Sequence, residues 1–117
     1  MRVDYGKGER ECALGVHAMM LYEQEFGSDI IKELFGRVVL RRQADDPDVE
    51  FAMDYRDTNW TAAVKALWAG LKSADESVPP FREWERSVGP IDMNAVVAAL
   101  IPEAWRMFFR AGADDSE

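Results

Sequence analysis

Cys12 and His17 are the side chains of this sequence whose types could serve as a nucleophile and its base. Each type occurs once, and Cys12 is expected on a hairpin whereas His17 is expected on the helix that follows, so nothing brings them together. There is also neither a cysteine cluster nor a His-x-x-x-His spacing that would bind zinc. We therefore expect no catalytic, cofactor or metal site and no enzyme activity, with Cys12 packed as a small hydrophobe and His17 facing solvent or capping a helix.

A second candidate for chemistry is the acidic run that contains Asp45, Asp46, Asp48 and Glu50. Several carboxylate oxygens are the ligands that calcium prefers. The run lacks the glycine at the sixth position and the closing bidentate glutamate of an EF-hand loop, so a solvated acidic loop is the favoured interpretation. Gly6-Lys7-Gly8 is too short for a phosphate-binding loop and no helix follows it, which leaves a structural turn.

Composition and charge define the class of protein. The chain has 117 residues, 48% of them hydrophobic, which suits one domain, expected over residues 1–112 with a disordered tail at 113–117. The net charge of −8 disfavours nucleic acid as a partner, because phosphate binding requires basic side chains. No apolar run approaches the roughly 20 residues that cross a membrane, and no signal-peptide core begins the chain. With one cysteine no intrachain disulfide can form, so a cytoplasmic location is expected.

The first elements to position these residues are a hairpin and two helices. Apolar and polar residues alternate on both sides of Gly6-Lys7-Gly8, which predicts a two-stranded N-terminal β-hairpin that must lie on something apolar. A helix is expected from Val16 until Gly27, and a short second helix follows, capped by Ser28 or Asp29.

The next segment has a different character. Residues 38–40 fit either an extension of the second helix or a short strand, and the pattern does not decide between them. Residues 43–56 are rich in charge and are predicted to form a mobile acidic loop, with about one turn around residues 51–55.

Three further helices complete the expected fold, which is mainly α: a compact helical domain of about five helices with a small N-terminal hairpin. Thr58 or Asn59 caps a helix with one apolar stripe, made of Trp60, Val64, Leu67, Trp68 and Leu71. Pro80 suits the first turn of the next helix, and Asp92 caps the last one. Pro102 lies inside this last helix and predicts a kink or a break near residues 98–101.

Aromatic residues supply the candidates for protein binding. Of the four tryptophans, about three are expected in the core. The last helix carries apolar residues over more than one face, so part of it is expected to offer surface to a partner, with Phe108 as the member closest to the core. The candidate contacts are Met107, Phe108, Phe109, Trp105 and Trp60.

Three motifs follow the hairpin in order. They are Tyr22-Glu23-Gln24-Glu25-Phe26-Gly27 at a helix end, Ala66-Leu67-Trp68-Ala69-Gly70-Leu71 within a helix, and Phe81-Arg82-Glu83-Trp84 at a helix start. In this order they resemble the tail assembly chaperones of long-tailed bacteriophages and prophages. The resemblance covers about residues 2–35 and 58–109.

The resemblance implies a function in protein binding. It implies that the chain binds the tape measure protein, the tail tube protein or both, and keeps the client soluble during tail assembly in the bacterial cytoplasm. Such chaperones are often made in a short form and a longer frameshifted form, and this chain resembles the short one. Self-association is left open. The alternative function is a small acidic adaptor or DNA-mimic inhibitor, which explains the charge but neither the hairpin nor the tryptophan-bearing helices.

Overall fold

The computed structural model describes residues 1–42, 51–54 and 57–109. Of the predicted acidic loop at 43–56, residues 43–50 and 55–56 lie outside this description. The predicted disordered tail at 113–117 lies outside it as well. Those two expectations therefore stay predictions.

The chain begins with the expected β-hairpin. Strand β1 (Arg2–Asp4) pairs antiparallel with β2 (Glu9–Glu11), and Val3 lies opposite Arg10. Gly6 and Gly8 between them have φ angles of 106° and 82°, which residues with a side chain rarely adopt. The predicted turn therefore requires glycine at both positions.

Two helices follow the hairpin and meet at a corner. Helix α1 (Val16–Phe26) ends at Gly27, whose N–H donates to the Glu23 carbonyl over 2.8 Å. Helix α2 (Ile30–Phe35) begins at Asp29, whose Oδ1 accepts the N–H of Ile31 over 2.8 Å. Of the two cap residues that the sequence offered, Asp29 caps α2.

A second β-ribbon differs from the sequence prediction. Strand β3 (Val39–Arg42) pairs antiparallel with β4 (Phe51–Asp54), with Val39 opposite Asp54 and Arg42 opposite Phe51. A strand therefore resolves the choice left open at residues 38–40. The prediction of a turn around residues 51–55 is wrong at residues 51–54, because these residues pair with residues 39–42 and form a strand.

Helix α3 (Trp60–Ala74) is the centre of the fold, against which the other helices pack. Asn59 caps it by accepting the Ala62 N–H over 3.1 Å. Its buried face is built largely from small side chains, which allow neighbouring backbones to approach closely. The buried residues of this helix are Ala62, Ala63, Ala66, Leu67, Trp68, Ala69, Gly70 and Leu71.

The chain closes with two helices, α4 (Phe81–Ser87) and α5 (Met93–Phe109). Asp92 caps α5 as predicted, because its Oδ1 accepts the N–H of Ala95 over 3.2 Å. Helix α5 runs through Pro102 without interruption, so the predicted break is absent. Ala98 and Pro102 are both exposed, so the turn of α5 that lacks the usual N–H at Pro102 lies on the outer face of the helix.

The N-terminal hairpin is fixed to the helices by backbone hydrogen bonds. The Ala13 N–H donates to the Gly70 carbonyl over 2.9 Å, and the Asp92 N–H donates to the Tyr5 carbonyl over 2.9 Å. In the part of the chain that the structure describes, the architecture is mainly α, with five helices and the N-terminal hairpin that the sequence predicted. No helix in the described part of the chain has both the length and the apolar character to cross a membrane.

Candidate functional site

Cys12 and His17, the two residues considered for nucleophilic chemistry, lie in different environments. Cys12 is fully buried, and burial raises the pKa of its thiol to about 12. The thiolate is the reactive form of cysteine, so Cys12 is inert at neutral pH. His17 is exposed on α1. Within residues 1–42, 51–54 and 57–109, no three His, Cys, Asp or Glu residues lie together as ligands for a metal ion.

The four tryptophans occupy three different environments. Trp68 and Trp84 are buried, and Trp105 is half-buried. Trp60 is 43% exposed although it belongs to the predicted stripe, because it is the first residue of α3. The Nε1–H of Trp68 donates to the Pro79 carbonyl over 2.9 Å, so its one polar atom is satisfied within the core.

An aromatic surface lies at the end of α5. The rings of Trp105 and Phe109 are 4.7 Å apart between centroids, and Phe35 of α2 lies 6.1 Å from Trp105 and 5.6 Å from Phe109. Phe109 is 50% exposed. We call these three residues the α5 aromatic surface. Phe35 was not among the sequence-based candidates, since only the packing of α2 against α5 brings it there.

Met107 and Phe108 are less available than Phe109. Both are half-buried and pack against the hydrophobic core. The methyl carbon of Met107 lies 3.8 Å from the position that a Cβ on Gly15 would occupy, so it contacts the start of α1. Of the candidate contacts at the end of α5, Phe109 presents the largest exposed apolar side chain.

Trp60 belongs to a separate site. It lines a groove of about 380 Å³ between α3, α4 and α5. We call it the Trp60 groove, and it is lined by Trp60, Thr61, Val64, Lys65, Phe81, Glu85 and Met93. Met93 begins α5, so about 18 Å of helix separates it from Trp105 and about 24 Å separates it from Phe109. The structure therefore divides the predicted binding residues between two places.

A polar cluster centred on Glu33 lies at the α1–α2 corner. The Tyr22 hydroxyl and the Ser28 hydroxyl donate to Oε1 of Glu33 over 2.5 Å and 2.8 Å, and the Lys65 ammonium lies 3.8 Å from the same atom. The hydrogen bond from Tyr22 is the main cause that lowers the pKa of Glu33 below its usual value. Glu33 thus ties α2 to α1 and α3, two residues before Phe35.

Comparison of the chain with protein-family models, with curated proteins and with solved structures found no match.

Proposed function

We propose that this protein is a tail assembly chaperone of a bacteriophage or prophage. In this function it binds the tape measure protein, the tail tube protein or both in the bacterial cytoplasm, and keeps the client soluble until the tail is assembled. It acts by binding and not by catalysis.

The first support is the order of motifs that carries the resemblance, together with the elements on which they lie. Tyr22 to Gly27 closes α1, Ala66 to Leu71 lies within α3, and Phe81 to Trp84 begins α4. Several of these residues pack together, since the ring centroids of Phe26 and Phe81 are 4.8 Å apart and those of Phe26 and Trp68 are 5.7 Å apart. The three motifs therefore pack against one another in the folded chain.

The observation that carries the proposal is the α5 aromatic surface. Phe109 is half exposed and its ring lies beside that of Trp105, and adjoining apolar side chains at a surface are typical of protein-binding sites. Aromatic side chains are also the commonest anchors at protein interfaces. The chain carries a net charge of −8, and repulsion between molecules of like charge opposes self-association through such a surface. This combination suits a chaperone better than an inhibitor that relies on carboxylates alone.

The test is co-expression with the tape measure or tail tube protein encoded by neighbouring genes. We expect wild-type protein to keep the client in the soluble fraction and to co-purify with it. Phe109→Asp is the variant of choice, because Phe109 is exposed whereas Met107 packs against the core. We expect Phe109→Asp to remain folded and to reduce client recovery by about tenfold or more, as for the loss of an interface anchor.

Met20→Asp is the matched control, since Met20 is 48% exposed on α1 and the substitution changes the charge equally. It should retain client binding. If Phe109→Asp binds the client as well as wild type does, the binding surface lies elsewhere. If wild-type protein affects neither client, the chaperone function itself is refuted.

A further inference from the structure

The Trp60 groove combines an apolar interior with a single free charge. Val64, Phe81 and Met93 supply apolar lining, and the exposed ring of Trp60 lies at its rim. Two charged residues, Lys65 and Glu85, also line the groove. Which of these two charges is available to a ligand decides what the groove can bind.

The charge of Lys65 is already engaged. Its ammonium lies 3.8 Å from the Glu33 carboxylate and 5.0 Å from the centroid of the Phe26 ring, so the head group is directed towards the α1–α2 corner. Its stem is then the part that lines the groove, as is usual for a long amphipathic side chain. Lys65 and Glu33 together contribute no net charge.

The charge of Glu85 is free. Glu85 is exposed on α4, and its carboxylate has no ion-pair partner among the residues that the structure describes. Arg82 and Arg86 lie on the same helix but do not line the groove. Of the two charged residues that line the groove, Glu85 is therefore the one without an ion-pair partner in the described part of the chain.

Two helix N-termini near the groove carry partial positive charge, which opposes the negative charge of Glu85. Helix α3 begins at Trp60 and α5 begins at Met93, and each N-terminus carries about half a positive charge. Asn59 already accepts an N–H of the first turn of α3, and the full negative charge of Asp92 lies at the start of α5. Both N-termini are therefore already offset in part, and neither carries a full positive charge.

We propose that the Trp60 groove binds the side chain of a lysine or arginine from a partner protein. The methylene stem lies on Val64, Phe81 and Met93, and the cationic head group lies between the Trp60 ring and the Glu85 carboxylate. A cation over a tryptophan face and an ion pair at a partly exposed site each contribute modestly, and here they act on one group. A basic partner also complements the net charge of −8. This inference does not depend on the identity of the client at the α5 aromatic surface.

Small probes test this chemistry without a known partner. Pentylguanidinium, pentan-1-ol and hexanoate carry comparable alkyl chains with a positive, neutral and negative head group. Each is titrated into the protein while the indole N–H signal of Trp60 is followed by NMR. We expect pentylguanidinium to bind about threefold to tenfold more tightly than pentan-1-ol, and hexanoate to bind more weakly than either.

Variants separate the charge from the apolar lining. Glu85→Gln should abolish the preference for the cation while leaving pentan-1-ol binding unchanged, whereas Glu83→Gln, on the same helix outside the groove, should keep the preference. Raising the salt concentration to about 1 M, where the screening length is about 3 Å, should remove the part that depends on Glu85. Trp60→Leu keeps an apolar lining and should weaken the binding of pentylguanidinium alone. Because this variant lacks the indole signal, binding is followed through the methyl signal of Met93.

Three results would overturn the proposal. Equal or tighter binding of pentan-1-ol would show that the groove is a purely apolar site. Tighter binding of hexanoate would show that the helix N-termini and Lys65 dominate. Absence of saturable binding by all three probes would show that the groove is not a binding site.

Discussion

Gly70 is the position at which the hairpin and the central helix touch. A Cβ at this residue would overlap the Sγ of Cys12 and lie 3.0 Å from the Cδ2 of Leu14. The Gly70 carbonyl also accepts the N–H of Ala13. Glycine in the middle of a helix normally costs about 1 kcal/mol relative to alanine, so its use here reflects the close approach of the two backbones.

We predict that Gly70→Ala destabilises the protein by about 1–3 kcal/mol, because overpacking at this contact exceeds the gain in helix propensity. Chemical denaturation followed by circular dichroism measures the change. The double variant Gly70→Ala with Cys12→Ala should recover part of the loss, since the Sγ that meets the new methyl group is absent. A Gly70→Ala protein as stable as wild type would mean that the hairpin does not dock on α3 as described.

Trp68 and Trp60 form a matched pair on one helix. Trp68 is 2% exposed and hydrogen-bonded through its indole, whereas Trp60 is 43% exposed. We predict that Trp68→Ala costs about 3–5 kcal/mol in the free energy of unfolding and that Trp60→Ala costs about 1 kcal/mol or less. Thermal melts of both variants provide the measurement. Similar losses of stability for the two variants would contradict the different burial of Trp68 and Trp60 on α3.

At the scale of elements, Glu33 couples three segments of chain. Its carboxylate accepts hydrogen bonds from Tyr22 of α1 and from Ser28 in the connecting corner, and it lies near Lys65 of α3. Burial and the hydrogen bond to Glu33 raise the pKa of the Tyr22 hydroxyl above its usual range. The pKa of Tyr22 is therefore raised, whereas the pKa of Glu33 is lowered.

This cluster predicts a loss of stability at both extremes of pH. The pKa of Glu33 is lowered, so its contribution is complete above the unfolded value of about 4.3 and is lost as the pH falls through the folded pKa. The pKa of Tyr22 is raised, so its contribution is complete below about pH 10 and is lost as the pH rises further. Denaturation at a series of pH values should show a reduced acid-side loss in Glu33→Gln and a reduced alkaline-side loss in Tyr22→Phe.

Glu25→Gln, an exposed carboxylate on α1, controls for the removal of a charge as such. If Glu33→Gln and Glu25→Gln give the same pH dependence, Glu33 does not stabilise the corner.

The elements that sequence alone predicted are those specified by near neighbours in the chain. Gly6 and Gly8 predicted the turn, and Asn59 and Asp92 were among the predicted caps, because each acts within about three residues of its own position. Strand β4 was missed because it forms only by pairing with β3, from which eight residues separate it rather than a short turn. The Trp60 groove was missed for the same reason, since Trp60 was a candidate but Phe81, Glu85 and Met93 join it only through the packing of three helices.

At the scale of the whole molecule, charge and apolar surface oppose each other. The net charge is −8 and the isoelectric point is near 4.6, while Phe109 and Trp60 remain exposed. Mutual repulsion between molecules limits contact between such surfaces at neutral pH. That protection disappears when the carboxylates are neutralised.

We therefore predict reversible self-association near pH 4.6, where the net charge approaches zero. Light scattering across the pH range should show a maximum there, and Phe109→Asp should lower it because the α5 aromatic surface then carries a charge at its centre. Met20→Asp again controls for the added carboxylate. Equal scattering by Phe109→Asp and Met20→Asp would assign the association to another surface.

The hydrogen bond between Asp92 and Tyr5 has a consequence for synthesis on the ribosome. The hairpin is translated first, yet the N–H that its Tyr5 carbonyl accepts belongs to a residue made long afterwards, at the start of α5. Contacts between distant segments cannot form until both have left the ribosome. The nascent hairpin can therefore dock on α3 at Gly70 but not on α5, and a chain released before Asp92 would keep its N-terminal strands only half anchored.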